Sequence, residues 1–135
     1  MENLAIKSTT NTPGIECDLT YNQITIEGES RPENVRAFYA PLFTWIDEYE
    51  NEMLAQSSSE ISKMINLNLK LEYFNSSSLK IFMEVIDRLK KIADTSGKLH
   101  LSINWYHQED DEDILDSGKE VEKMVGIKFN FISIP

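Results

Sequence analysis

Hydrophobic and polar residues alternate along several short segments of the chain and follow a helical spacing along three longer ones. Alternation over Ile15–Leu19 and Ile24–Glu27 predicts two strands, and Asn22 lies between them as a turn residue. These segments therefore predict a β-hairpin near the N-terminus.

The first helix is predicted from about Pro32 to Leu54. Ser30 is followed three residues later by Glu33, with Pro32 early in the first turn, which is the pattern of a capping box. Pro41 lies inside the segment and is expected to kink or split the helix, because its ring clashes with the preceding turn. The apolar residues at spacings of three and four predict one buried stripe: Phe38, Leu42, Trp45, Ile46, Tyr49 and Met53.

A long strand with one buried face is predicted after a short polar linker, Gln56–Ser59. The apolar residues of this strand fall on odd positions from Ile61 to Tyr73. The next helix is predicted from Ser77 or Ser78 to about Thr95, and Gly97 ends it, because glycine accepts the left-handed conformation at a helix C-terminus.

Two more strands and a helix complete the pattern. Alternation predicts a strand over Leu99–Tyr106, and the acids that begin the segment Asp110–Met124 suit the N-terminus of a helix. A last strand is predicted over Ile127–Phe131. Strands separated by helices imply right-handed parallel crossovers, so the fold class is α/β with a mixed sheet and an N-terminal hairpin.

The three later strands each carry a polar row opposite an apolar row. Parallel strands covered on both faces are usually apolar throughout, so we expect the helices to lie mainly on one face of the sheet. The other face is either hydrated or in contact with a partner. Its candidate residues are Asn66, Asn68, Lys70, His100, Ser102, Asn104, Lys128 and Asn130.

Length and charge limit the function classes. A chain of 135 residues has the size of one domain, residues 1–135. Its 23 acidic and 13 basic residues give a net charge of -10, which disfavours nucleic acid and anionic lipid as partners. Cys17 has no second cysteine to pair with, and neither a secretory signal nor an apolar run of about 20 residues occurs. We therefore expect a soluble cytoplasmic protein.

No catalytic, cofactor or metal motif is recognisable. His100 and His107 lack further ligands at zinc spacing, and the acidic run Glu109–Asp113 with Asp116 lacks the glycine and alternating ligands of a calcium loop. Nucleophile-elbow, dinucleotide-binding and Walker patterns do not occur. The aromatic side chains are interpreted as core: Phe38, Phe43, Trp45, Tyr49, Tyr73, Phe74 and Phe82.

The candidate chemistry lies in Asn75-Ser76-Ser77-Ser78, between the long strand and the following helix. A helix N-terminus presents unpaired N–H groups and a positive dipole end, which suit a phosphoryl group. One interpretation makes a serine the helix N-cap, and the other makes a serine a phosphoacceptor. No Glu or Gln follows any of the serines by three residues, and Lys80 stands where an acid would suit the dipole.

Three segments carry a resemblance to a known family: Leu69–Lys80, Ser30–Asn34 and Trp105–Asp116. Together they resemble the SiaC-type regulatory phosphoprotein family of bacteria, from about Ile15 to Phe131. The resemblance implies a STAS-like domain that a serine/threonine protein kinase phosphorylates and a PP2C-like phosphatase dephosphorylates. It also implies a downstream partner, in the best-known branch a diguanylate cyclase that controls biofilm formation.

The resemblance also implies roles for individual residues. The phosphoacceptor of the family follows an asparagine and corresponds to Ser76, where relatives commonly have threonine. Ser77 and Ser78 then look like the helix caps, and Asn75 and Lys80 like residues that shape the surface around the acceptor.

Three function classes remain open from the sequence. The first is a phosphorylation switch without enzymatic activity or cofactor. The second is a constitutive adaptor or homodimer that binds through its polar sheet face, and the third is an enzyme of unrecognised type.

Overall fold

The computed structural model describes residues 1–56 and 61–135, which form one six-stranded sheet and three helices. In chain order the elements are β1 (Leu4–Ile6), β2 (Gly14–Asp18), β3 (Gln23–Ser30), α1 (Val35–Ala55), β4 (Lys63–Phe74), α2 (Ser76–Ser96), β5 (Leu99–Gln108), α3 (Glu112–Val125) and β6 (Asn130–Ile134).

The strands lie in the sheet in the order of the sequence, from β1 to β6. The pairs β1–β2 and β2–β3 are antiparallel, whereas β3, β4, β5 and β6 run parallel to one another. The predicted α/β class, the mixed sheet and the N-terminal hairpin are confirmed. Strand β1 was not predicted, because three residues are too few to establish an alternation.

The core lies on one face of the sheet, where the helices cover it. Alternate residues of the parallel strands are buried there, among them Ile24, Leu67 and Ile103. They share a single apolar cluster with buried residues of the helices, such as Leu42 and Phe82. This arrangement confirms the expectation of helices mainly on one face.

The predicted start of the first helix is wrong. Helix α1 begins at Val35 with Asn34 as its N-cap, and Asn34 Oδ1 accepts a hydrogen bond from the Ala37 N–H at 3.1 Å. Ser30 is instead the last residue of β3 and is fully buried. Asparagine caps helices as well as serine does, and here it occurs later in the same polar segment.

Pro41 does not split α1, which runs continuously on both sides of it. Tyr39 and Leu42 flank the proline and are both fully buried. Burial of the apolar stripe on each side therefore outweighs the hydrogen bond that Pro41 cannot donate.

Two side chains predicted to be buried in the long strand are exposed. Ile61 lies before β4 and is 71% exposed, and Tyr73 is 46% exposed. The register between β3 and β4 shifts by one residue just before Tyr73, so Phe74 enters the core in its place. Of the predicted linker Gln56–Ser59, Gln56 is the C-cap of α1 and the rest lies outside the described residues.

The later helices agree with the sequence, with shifted bounds. Gly97 ends α2 in the left-handed conformation at φ 68°, as predicted. Acids occupy the first turn of α3, and Asp111 caps it through a hydrogen bond from the Ile114 N–H. No helix in the described part of the chain is both long enough and apolar enough to cross a membrane.

The last strand begins three residues later than predicted, at Asn130. Phe129 is buried, as a strand residue would be, but its N–H donates to Glu122 Oε2 of α3 at 2.7 Å. The alternation of Ile127 to Phe131 therefore reflects packing against α3 before the strand starts.

Gly118 fixes how closely α3 approaches the sheet. A Cβ at this position would lie 2.6 Å from Nε1 of Trp105. That same Nε1 donates to the Ile114 carbonyl of α3 at 2.9 Å, so the indole cannot withdraw without losing its hydrogen bond. The helix and β5 thus meet where the helix has no side chain.

Replacing this glycine should loosen the contact. Gly118→Val should lower the free energy of unfolding by about 1–3 kcal/mol, because a side chain must displace the Trp105 indole. The urea midpoint measures the loss, and Glu120→Val on the exposed side of α3 is the matched control. Equal midpoints for the two variants would contradict this account of the helix–sheet contact.

Candidate functional site

Asn75 caps helix α2 at the point where β4 ends. Its Oδ1 accepts a hydrogen bond from the Ser78 N–H at 2.9 Å, and its carbonyl accepts one from the Leu79 N–H at 3.0 Å. Its own N–H donates to the Ser30 carbonyl at 3.2 Å. The expectation that Ser77 and Ser78 cap the helix is therefore wrong, because Asn75 holds that position and the serines form the first turn.

The three serines differ in accessibility. Ser76 and Ser77, the first two residues of α2, are exposed, whereas Ser78 is fully buried. A modifying enzyme can reach a hydroxyl only at the surface. The geometry therefore restricts the candidate phosphoacceptors to Ser76 and Ser77.

A chain of buried hydroxyl groups lies beneath this turn. Tyr39 Oη is 2.6 Å from Ser30 Oγ, and Ser30 Oγ donates to Ser78 Oγ at 2.7 Å. Ser78 Oγ donates in turn to the Ser30 carbonyl at 3.0 Å. Each hydroxyl has one proton, so Tyr39 must donate to Ser30, and the chain has a single direction.

The tyrosine remains a donor across the physiological pH range. Burial raises the pKa of Tyr39 to about 12, and the hydrogen bond with Ser30 opposes that rise only in part. The hydroxyl chain joins α1, the end of β3 and the first turn of α2. It thereby fixes the turn from below and leaves Ser76 on the outside.

The sequence analysis missed both Ser30 and Tyr39 as residues of this site. Tyr39 carried a signal, because it continues the spacing of Leu42, Ile46 and Tyr49 on one helix face. Ser30 carried none, since its partners Tyr39 and Ser78 are defined only by the packing of three elements.

The surroundings of Ser76 favour negative charge. Because α2 starts at Ser76, the N–H groups of Ser76 and Ser77 have no carbonyl one turn earlier to bind. The first turn of α2 contains no acid, and exposed Lys80 lies one turn along the same helix face. An anionic group on Ser76 would therefore meet free N–H groups and no carboxylate of the first turn.

Two ion pairs hold α2 against α1 beyond this turn. Arg36 contacts both carboxylate oxygens of Glu84, at 2.6 and 3.2 Å, and Arg88 pairs with Asp47. Both pairs are largely exposed, so each contributes little to stability, and the helices are held together mainly by their residues in the apolar core.

The open face of the sheet carries a row of polar side chains in register. Thr25, Asn68, Asn104 and Asn130 lie opposite one another on four adjacent strands. Each asparagine amide donates to its neighbour, with distances of 3.2, 2.8 and 2.9 Å along the row. These side chains therefore satisfy one another's hydrogen bonds.

The other residues predicted on this face have separate positions. Asn66 and Ser102 accept hydrogen bonds from the amides of the row, and Lys70 Nζ lies 4.7 Å from the Tyr106 ring centroid. His100 is exposed in β5, and Lys128 precedes β6 and lies outside the sheet.

Among the described residues, no group of three or more His, Cys, Asp and Glu side chains is arranged to hold a metal ion. Cys17 is buried beneath the helices, and this burial raises the pKa of its thiol to about 12. The thiol therefore stays protonated and unreactive at neutral pH.

The hydroxyl chain predicts different consequences for neighbouring serines. Ser78→Ala should lower the free energy of unfolding by about 1–3 kcal/mol, because the Ser30 hydroxyl and carbonyl lose their buried partner. Ser77→Ala makes the same chemical change at an exposed position and should shift the urea midpoint little. Equal shifts would contradict the assigned role of the buried hydroxyls.

Comparisons with known proteins agree with this fold and sequence. The chain matches the family model described as SiaC family regulatory phosphoprotein over residues 6–134. It is 26% identical over 129 residues to the uncharacterized protein PA14_02130 of Pseudomonas aeruginosa (strain UCBPP-PA14). The alignment covers 96% of this chain and 94% of that protein.

Two crystal structures from Pseudomonas aeruginosa share the fold at 23% sequence identity. Apo-SiaC superimposes with a TM-score of 0.78 over 98% of this chain and 99% of that chain. SiaC in complex with the diguanylate cyclase SiaD, which it activates, gives 0.80 over 97% and 99%. From the match over nearly its whole length, the chain belongs to the SiaC family of regulatory phosphoproteins.

Proposed function

We propose that this chain is a non-enzymatic, single-domain signalling switch of the bacterial cytoplasm, controlled by reversible phosphorylation of Ser76. A serine/threonine protein kinase transfers the γ-phosphoryl group of ATP to Ser76 Oγ, which loses its proton, and ADP leaves. A PP2C-like phosphatase hydrolyses the phosphoester with water. The unmodified form binds a downstream partner, and the phosphorylated form does not.

The observation that carries the proposal is the exposed Ser76 hydroxyl on a rigid turn of a regulatory phosphoprotein. Asn75 caps the helix from one side, and buried Ser78 anchors the turn from below. A kinase would therefore find the acceptor in one fixed position, with no need to unfold the junction.

The phosphorylated form is accommodated without rearrangement. A phosphate adds about -1.5 to -2 charge at pH 7 and three acceptor oxygens. The N–H groups of Ser76 and Ser77 and the ammonium group of Lys80 offer donors around it. The modification would thus stabilise the helix terminus while changing the charge of the surface.

The switch acts by electrostatic exclusion at an interface. A partner that covers the Ser76 turn must remove the phosphate from water, and a buried charge without a matched partner costs several kcal/mol. Even about 2.7 kcal/mol weakens binding a hundredfold. The added charge therefore suffices to separate bound and free states.

A diguanylate cyclase is the partner class we propose first. SiaC, which shares this fold and family, forms a complex with the diguanylate cyclase SiaD and is its activator. The acidic surface of this chain, with a net charge of -10, disfavours nucleic acid and anionic membranes as alternatives.

Substitution of Ser76 tests the site directly. Ser76→Ala should accept no phosphate from the cognate kinase and should bind the partner whether or not kinase and ATP are present. Ser76→Asp should bind at least about tenfold more weakly, because its carboxylate must also be desolvated. Intact-mass measurement reports the phosphate, and titration calorimetry reports the affinity.

Ser77→Ala is the matched control, because it removes the other exposed hydroxyl of the turn and leaves Ser76 in place. It should gain one phosphate like the unaltered chain. Full phosphate incorporation into Ser76→Ala would overturn the assignment. Absence of phosphate on the unaltered chain would favour a constitutive adaptor that binds through the polar sheet face.

Lys80 should contribute to the stability of the phosphorylated form. Phosphorylation of Ser76 should raise the free energy of unfolding by about 0.3–1 kcal/mol, and Lys80→Ala should remove part of that gain. Urea unfolding of both forms measures the difference. Lys90→Ala, on the same helix but far from its N-terminus, should leave the gain intact, and equal effects of the two variants would exclude a local pairing.

A further inference from the structure

Strand β6 is the outer edge of the parallel part of the sheet. It pairs with β5 on one side, and nothing in residues 1–56 or 61–135 pairs with it on the other. The opposite edge, β1, is only three residues long, which limits the pairing it can offer.

The hydrogen bonds of β6 show which backbone groups face outward. The Ile134 carbonyl accepts from the Glu109 N–H at 2.9 Å, so the backbone groups of Ile134 point toward β5. Successive residues of a strand point their backbone groups to opposite sides, so those of Phe131 and Ser133 point away from the sheet. The free edge therefore offers two N–H groups and two carbonyls.

Strand β6 itself lacks the features that usually prevent strand pairing, and Pro135, directly after it, limits the pairing edge to Phe131 and Ser133. Asn130–Ile134 contains no charged residue, no proline and no bulge, and its side chains include Phe131, Ile132 and Ile134. Sheet edges are normally protected by such charges, prolines or bulges. An unprotected edge of this kind favours the addition of another strand.

We propose that the occupant of this edge is β6 of a second copy of the chain, paired antiparallel about a two-fold axis at Ile132. In this register Phe131 of each copy lies opposite Ser133 of the other. Their outward N–H and carbonyl groups form four hydrogen bonds, because residues with outward backbone groups meet in hydrogen-bonded pairs. Ile132 then lies opposite its own counterpart.

The side chains and charges of the edge are complementary to themselves in this register. On the open face the two Ile132 side chains meet, and Asn130 of each copy lies beside Ile134 of the other. The antiparallel arrangement also brings Lys128 of each copy toward the end of the partner's β6, where Glu109 begins an acidic run. The same patch serves both copies, as a two-fold interface requires.

The pairing would join two six-stranded sheets into one continuous sheet. A two-fold axis perpendicular to the sheet keeps both helix layers on the same side. Ser76 follows β4 at the carboxyl end of the parallel strands, so the two Ser76 turns lie at opposite ends of the dimer. The dimer therefore leaves both turns accessible.

Ser133→Pro tests the edge without touching the sheet. The proline removes an outward N–H and places its ring in the pairing edge, while the groups that bind β5 remain. It should raise the dimer dissociation constant at least about tenfold, because two of the four hydrogen bonds are lost. Ser133→Ala keeps the N–H and should dimerise like the unaltered chain.

An interface of one short strand buries less surface than the ~1,200 Å² typical of stable complexes, so we expect weak dimerisation. Sedimentation equilibrium over about 10 µM to 1 mM is therefore the appropriate measurement. The unaltered chain should move from 15.6 kDa toward twice that mass. Urea midpoints of the two Ser133 variants establish that both are folded.

Cysteine substitution tests the register itself. In Ile132→Cys the two thiols would face each other across the axis, with Cα atoms about 4.5 Å apart, which a disulfide can span. Oxidised glutathione should convert this variant to a covalent dimer. Asn130→Cys is the matched control, because its two thiols would lie four residues apart, about 13 Å, and should not join.

Three results would overturn the proposal. They are a chain that stays monomeric over the whole concentration range, a dimer that Ser133→Pro leaves intact, and equal cross-linking of the two cysteine variants. Cys17 is buried in the core and does not compete for the oxidant. None of these measurements depends on phosphorylation of Ser76.

Discussion

The buried hydroxyl chain from Tyr39 through Ser30 to Ser78 is the interaction on which the arrangement of the site depends. It joins α1, the end of β3 and the first turn of α2 at a point without access to water. A buried hydroxyl without a partner is costly, so these three elements can pack together only in the relative position that closes the chain. The exposed position of Ser76 is a consequence of that closure.

Helices α2 and α3 differ in the charge of their first turns. Helix α3 begins with Glu112 and Asp113, which neutralise the positive end of its dipole. Helix α2 begins with three serines and no acid, although the chain as a whole carries a net charge of -10. No acid in its first turn therefore neutralises the positive end of its dipole, which suits the phosphate proposed at Ser76.

The one-sided covering of the sheet separates the surfaces of the molecule. The helices bury the apolar side of every parallel strand, and the asparagine row on the other side satisfies its own hydrogen bonds. The loops at the carboxyl ends of the strands, where Ser76 lies, are distinct from the free edge at β6. The proposed regulation at the Ser76 turn and the proposed pairing through β6 can therefore proceed independently, because they would use different parts of the surface.

The sequence by itself determined the α/β class, the hairpin, the later helices and the position of Ser76 at a strand-to-helix junction, because these depend on periodicity and on turn and cap chemistry within a few residues. Only the tertiary structure decided that Ser78 is buried against Ser30 and that Tyr73 is replaced in the core by Phe74. Ser30 and Ser78 are 48 residues apart in the chain, and the shift before Tyr73 arises from pairing with β3. Contacts of this kind are set by how elements pack together, and no local pattern encodes them.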